Sequence, residues 1–309
     1  MSQGGKPATR TFAHYELQAL VGRGGMAEVF RAVDLAGPRA GHKVAIKRLL
    51  PELAQQPQYV EMFVGEADLS RMLHHPNIIE VYEAGTVGEK YYMVMEYIDG
   101  RDLGQILKRC RERKILLPVD FAVFLGVVLL EALAYAHSAR GPSGKPLGIV
   151  HCDISPSNLF ISRVGEIKLG DFGIAKAHAR DGLEGVTPVW GKAYYLSPEA
   201  LAGHTDQAAD LWAATVTLYE LLCNERPFTG ADPDQVCRAI RLARPTSLFE
   251  RRLDVSSELD GVIMRGFARD PSERYRDAAR FAEALRPHFD DLIGNPMAIA
   301  AVVRGLFGA

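Results

Sequence analysis

Three short segments restrict this chain more than any other feature: Val44-Ala45-Ile46-Lys47, then His151-Cys152-Asp153-Ile154-Ser155-Pro156-Ser157-Asn158, then Asp171-Phe172-Gly173. They carry a lysine, an acid with an asparagine five positions on, and a second acid. A lysine is a fixed cation for an anionic ligand. An aspartate near a hydroxyl is a candidate base, and Asn and Asp oxygens suit a hard divalent cation. Each residue also has a plainer reading. Asp and Asn in loops commonly cap helices, and an isolated Lys–Glu surface pair is common and weak. Those readings do not account for all three segments in this order, with Ser197-Pro198-Glu199 downstream. A fold that uses them must bring distant stretches of chain together.

Around these segments the hydrophobic period changes once. Residues 15–50 alternate apolar and polar with glycine interruptions, which predicts hairpin strands. Val44 and Ile46 fall on one face, Ala45 and Lys47 on the other. Residues 58–73 carry Phe63, Ala67, Leu69 and Met72, with Glu66 among them, and read as an amphipathic helix. Residues 78–87 and 90–97 read as two more strands, and Asp99-Gly100 as a turn. From Asp102 on helical patterns dominate. Residues 119–136 predict a buried helix and residues 208–222 a second, with a turn-rich insertion at 139–147. The order is a strand-rich small part, a connector near 96–100, and a larger helical part.

At 309 residues, 48% of them hydrophobic, the chain is long enough for a packed two-lobed domain. A net charge of -2 gives no basic field, which argues against nucleic acid as a partner. Cys110, Cys152, Cys223 and Cys237 lack metal-type spacing and read as reduced thiols. The first ten residues have no apolar stretch of the signal-peptide kind, and residues 296–303 are too short to span a membrane. The expectation is a cytoplasmic protein with no membrane span. Residues 1–12 read as a disordered tail. Residues 295–309 have apolar positions at roughly helical spacing and are expected to dock on the domain.

Val21-Gly22-Arg23-Gly24-Gly25-Met26-Ala27-Glu28-Val29 precedes the lysine segment. With it, the three segments and Ser197-Pro198-Glu199 make the chain resemble a eukaryotic-like (Hanks-type) bacterial Ser/Thr protein kinase, similar to myxobacterial members, over about residues 14–289. The resemblance implies an α+β, two-lobed protein-kinase-like fold. Its N-lobe, residues 13–98, would be a small antiparallel sheet with one main helix. Its C-lobe, residues 99–289, would be larger and mostly helical, with a helical tail at 290–309. The resemblance further implies ATP and Mg2+ as cofactors and transfer of the γ-phosphate to Ser/Thr hydroxyls of protein substrates. Residues Val21 to Val29 would cover the phosphates, the glycines letting backbone N–H groups approach. Lys47, held by Glu66, would pair the α- and β-phosphates. Ala45 would line the adenine pocket, Met95 would be the gatekeeper, and the backbone of Glu96 and Ile98 would bind the adenine edge. Asp153 would orient or deprotonate the acceptor hydroxyl, with Asn158 and Asp171 as magnesium ligands. Glu199 and Arg274 would form a buried ion pair, and Asp210 would anchor the loop holding Asp153. Relatives that dimerise through the small lobe leave a homodimer open.

The chain departs from the family at four positions. Ala27 replaces the third glycine. Cys152 stands where the family has an Arg that receives a phosphorylated activation loop. Thr187 is the only hydroxyl residue between Asp171 and Tyr194, so the expectation is a kinase independent of loop phosphorylation. Ser155 replaces a lysine that contacts the γ-phosphate, and Gly191-Lys192 replaces a Gly-Thr pair. Ser155 and Lys192 therefore read as an exchange that returns positive charge to the catalytic centre, against a reading in which Lys192 points to solvent. These departures also feed an alternative, a pseudokinase or ATP-binding scaffold. A small-molecule phosphotransferase shares a His-x-Asp and a later Asn but lacks the Ser197-Pro198-Glu199 segment.

Overall fold

The computed structural model describes residues 10–172 and 192–308. The first nine residues of the expected tail, Gly173 of the third segment, Thr187, Gly191 and Ala309 lie outside the described residues. The chain divides into two compact units. One holds the residues up to His74 together with Ile79–Tyr97, and the other holds His75–Ile78 and everything from Ile98 on.

The first unit is an antiparallel sheet with one helix. Its strands are β1 (Arg10–Phe12), β2 (Tyr15–Arg23), β3 (Ala27–Asp34), β4 (Lys43–Leu49), β5 (Val81–Val87) and β6 (Lys90–Glu96), in the spatial order β1-β2-β3-β4-β6-β5. Helix α1 (Pro57–Ser70) buries Phe63, Glu66, Ala67 and Ser70, spaced as one helical face. The strand alternation sorts the apolar residues into two clusters. Val44 and Ile46 pack with Phe12, Tyr15, Ala32, Tyr92 and Val94. Ala45 and Leu49 pack with Ala27, Met93, Met95 and the α1 residues Phe63 and Ala67. Lys47 shares the strand face of Ala45 and Leu49, so the backbone period alone turns it toward α1.

The second unit is mostly helical. It holds β7 (Gly100–Asp102), α2 (Leu103–Arg113), α3 (Val119–Ser138), β8 (Leu159–Ser162), β9 (Ile167–Leu169), α4 (Gln207–Cys223), α5 (Pro233–Leu242), α6 (Leu248–Arg251), α7 (Ser257–Gly266), α8 (Ala278–Leu285) and α9 (Pro296–Phe307). The three strands form a small sheet in the order β7-β8-β9. Gly100, expected in a turn, begins β7. A Cβ there would stand 1.9 Å from the Ile161 carbonyl oxygen, so the glycine serves the close approach of two strands. Helix α3 packs against α4 and α8, and its apolar residues are buried on several sides. Among the described residues it is the one helix long and apolar enough to cross a membrane. The buried helix expected at residues 119–136 is found, extended to Ser138.

Arg274 lies fully buried and donates through Nη1 and Nη2 to both Glu199 carboxylate oxygens, at 2.6 and 2.8 Å. Its guanidinium also sits 4.9 Å from the Trp212 ring centre. Burial, the largest single influence, would raise the Glu199 carboxyl, but the Arg274 hydrogen bonds and charge, with the Glu199 backbone N–H and Ser197, together outweigh it and hold the carboxyl below its ordinary value. A depressed folded-state value means the pair's stabilisation is present at neutral pH and lost as pH falls through that value. Arg274→Met should therefore destabilise the fold by about 3–5 kcal/mol at neutral pH. The deficit should shrink at an acid pH below the ordinary carboxylate range, where the paired Glu199 takes up a proton. Urea denaturation of both proteins at the two pH values measures this.

Candidate active site

In the first unit the turn between β2 and β3 is closed by Gly24 N–H donating to the Ala27 carbonyl at 2.8 Å. Ala27 is buried in the apolar cluster with Ala45 and Met95. Its added methyl group thus anchors the start of β3 rather than standing in the loop. Gly22 pairs with Val29 and Arg23 with Glu28 in register. Glu28 also lies 3.7 Å from Arg23 and 3.4 Å from Arg48, while Val21 is half exposed. Lys47 Nζ donates to Glu66 Oε1 at 2.6 Å, with both side chains largely buried. Ala45 and Met95 are direct cross-strand partners, both buried. Glu96 N–H donates to the Glu80 carbonyl at 2.9 Å.

In the second unit Asp153 and Asn158 sit in one loop, and the loop is built around Asp210. The first turn of α4, capped by Asp206, presents the Asp210 carboxylate inward, 1% exposed. It accepts from His151 N–H at 2.7 Å and Cys152 N–H at 2.9 Å, and its Oδ2 lies 2.8 Å from His137 Nε2. These contacts hold Cys152 at φ 62°, a left-handed backbone that costs a non-glycine residue energy. His151 is completely buried, and burial lowers its imidazole's affinity for a second proton. Asp153 N–H donates to His151 Nδ1 at 3.3 Å, so the ring's proton sits on Nε2 and is shared with the Gly170 carbonyl at 3.2 Å. A neutral histidine thereby ties the Asp153 loop to the residue before Asp171, and its ring lies 4.4 Å from that of Phe172.

Asn158 Nδ2 donates to the Asp153 carbonyl at 2.8 Å and to Asp153 Oδ2 at 3.0 Å. Both amide protons are spent, leaving the Asn158 side-chain oxygen as its remaining group. Asp171 takes φ 53° immediately after Gly170. An amide oxygen and a carboxylate fit a hard divalent cation. Among the described residues no group of three His, Cys, Asp or Glu forms a competing metal cluster. Lys192 Nζ donates to Asp153 Oδ2. Ser155, buried, shares its hydroxyl with Ser157 Oγ at 2.9 Å. A cavity of about 40 Å³ adjoins the Lys192–Asp153 ion pair, lined by Cys152, Asp153, Lys192, Leu196, Ala209 and Ala213 among others.

Sequence reasoning passed over three contributors. His137, which lies 2.8 Å from Asp210, and Ser157, which shares the Ser155 hydroxyl, belong to none of the motifs that mark the site in the sequence. His151 had no role assigned. A lone histidine at the C-terminal end of a buried helix is a signal that could have flagged the first. Asp210→Asn should remove charge from a site that three N–H donors share. It should cost about 1–3 kcal/mol of stability and raise hydrogen exchange at the His151 and Cys152 amides, measured by mass spectrometry.

The geometry can be set beside known proteins. Residues 15–288 match the family described as protein kinase domain. A Myxococcus xanthus protein named tyrosine-protein kinase MasK is 35% identical over 98% of this chain and 47% of its own length. The probable serine/threonine-protein kinase SCO3848 of Streptomyces coelicolor is 35% identical over 97% of this chain and 44% of its own length. The serine/threonine-protein kinase PknB of Mycolicibacterium smegmatis is 36% identical over 89% of this chain and 43% of its own. The chain thus spans less than half the length of these relatives. Among solved structures, the PknI kinase domain of Mycobacterium tuberculosis matches with a TM-score of 0.68 and 27% identity, covering 92% of this chain and 98% of that one.

Proposed function

As this chain belongs to the protein kinase family, we propose that it transfers the γ-phosphate of ATP to Ser and Thr hydroxyls of protein substrates. The observation that carries this reading is the Asp153 loop. One carboxylate is held by Asn158 and by Lys192, on a backbone fixed by the buried Asp210.

Bound ATP supplies the phosphoryl group, and a bound divalent cation such as Mg2+ supplies positive charge to its phosphates. Lys47, its ammonium fixed by Glu66, pairs the α- and β-phosphates. Residues Val21 to Val29 cover them, while Ala45, Met95 and the backbone of Glu96 and Ile98 hold the adenine. Asn158 and Asp171 offer the cation their oxygens. Asp153 orients the acceptor hydroxyl and takes its proton. As the acceptor oxygen bonds to the γ-phosphorus, the bond to the β–γ bridging oxygen breaks and ADP leaves. Lys192 brings the ammonium that Ser155 lacks, next to the point where the phosphoryl charge passes.

The relatives' names divide between serine/threonine and tyrosine. Pro156, two residues before Asn158, favours the serine/threonine side by resemblance. Incubation with radiolabelled ATP, Mg2+ and a basic protein should give phosphoserine or phosphothreonine. Asp153→Asn should lower the rate by at least about 100-fold, and Asp171→Asn should abolish labelling. Phosphotyrosine as the only product would overturn the acceptor assignment. ATP binding without any labelling would make the chain a pseudokinase.

Lys192→Met should cripple turnover, and Ser155→Lys combined with Lys192→Thr should recover it. Wild-type turnover by Lys192→Met ends the exchange proposal. With Cys152 in place of the phosphate-receiving Arg, Thr187→Ala should keep wild-type activity. Its loss, with restoration by Thr187→Glu, would show dependence on loop phosphorylation.

A further inference from the structure

Helix α9 begins after residue 288, past the matched family region, yet it is built into the second unit. It buries Ile299, Ala300, Val303 and Leu306 and contacts α2 and β8. Its C-terminal carbonyls are capped by two α2 arginines. Arg109 Nε donates to the Leu306 carbonyl at 3.1 Å, and Arg113 Nη1 donates to the Gly305 carbonyl at 2.7 Å. Positive charge at a helix C-terminus is stabilising. Phe307 lies with its ring centre 5.1 Å from the Arg101 guanidinium of β7. At the other end Pro296 rests on Gly165. A Cβ on Gly165 would stand 2.0 Å from the Pro296 carbonyl oxygen, and Gly165 has φ +91°. Only a glycine combines that backbone with that approach.

Gly165 lies in the turn of the β8–β9 hairpin, whose tight loop is closed by Ser162 N–H donating to the Glu166 carbonyl at 2.8 Å. The open end of the same hairpin carries the cation ligands. Asn158 immediately precedes β8, and Asp171 follows β9 by two residues. Gly170 N–H donates to the Asn158 carbonyl at 2.9 Å and closes that end. Helix α2, whose arginines cap α9, also packs on the short turn Pro156–Asn158, with Gly104 against the Ser157 backbone. Helix α9 therefore grips the hairpin turn directly and the Asn158 turn through α2.

We propose that α9 is a positioning element for the divalent-cation site. Docked, it fixes the hairpin that carries Asn158 and Asp171, and undocking weakens cation binding without removing a ligand. This rests on the proposed role of these two residues as the cation's ligands.

The test uses the full chain with two variants. Val303→Asp puts a carboxylate into the buried face of α9. Arg109→Met with Arg113→Met removes both carbonyl caps and leaves the apolar face intact, so the claim stays testable should the first variant fail to fold. Hydrogen exchange across residues 296–307 reports undocking. The undocked protein should lose protection at the Gly170 amide. It should also need about tenfold more Mg2+ for half-maximal phosphorylation, the scale on which outer-shell changes act on metal sites. An α9 that exchanges freely while Gly170 protection and Mg2+ requirement stay at wild-type values overturns the proposal. A merely stabilising helix would give that result with a lower melting temperature. Absence of Mg2+-dependent phosphorylation in the wild-type protein would instead count against the kinase reading, and the Gly170 amide would then decide the coupling alone.

Discussion

The Asp210 carboxylate is removed from water, and the second unit arranges three N–H groups around it. Burying such a group without partners costs several kcal/mol. That demand fixes the path of the chain at His151 and Cys152, and it forces Cys152 into a left-handed backbone. The turn so made presents Asp153 on one side, while His151 reaches the Gly170 carbonyl on the other. The positions of Asp153, Asn158 and Asp171 thus trace back to one charge at the start of a helix. No single loop residue could define them, because loops lack the repeating hydrogen bonds that hold helices and strands.

Much of this is legible in the sequence alone. Alternation in β4 put Lys47 on the face opposite Val44 and Ile46, and helical spacing put Glu66 on the inner face of α1. Their meeting at 2.6 Å follows from two periods and a sheet. The fold class is that of the family: an antiparallel sheet with one helix, then a helical unit. Gly100 was misread because an Asp-Gly pair is a strong local turn signal, whereas its real constraint is the Ile161 carbonyl far along the chain. The roles of His137 and Ser157 escape local reading for the same reason, although the position of His137 at the end of an apolar helix is itself visible in the sequence. Their partners are set by tertiary proximity, which no local pattern encodes.

The departures from the family share one electrostatic theme. Cys152 removes a cation beside Asp153, and Ser155 removes another. Lys192 returns one, ion-paired to Asp153 from a different stretch of chain. Ser155 turns to Ser157 and stays buried with its hydroxyl satisfied. A lysine side chain that can snorkel would be free to reach solvent. The carboxylate beside it gives a reason for it to stay.

Helix α3 has an implication for biosynthesis. Its neighbours α4 and α8 are encoded later in the chain, beginning at Gln207 and Ala278. At elongation rates of about 5–20 residues per second, α3 waits on the order of ten seconds for them. Throughout that interval the nascent polypeptide displays a stretch with the length and apolarity of a bilayer-spanning segment. Until α4 and α8 emerge to cover it, that stretch is open to aggregation or to capture by a membrane.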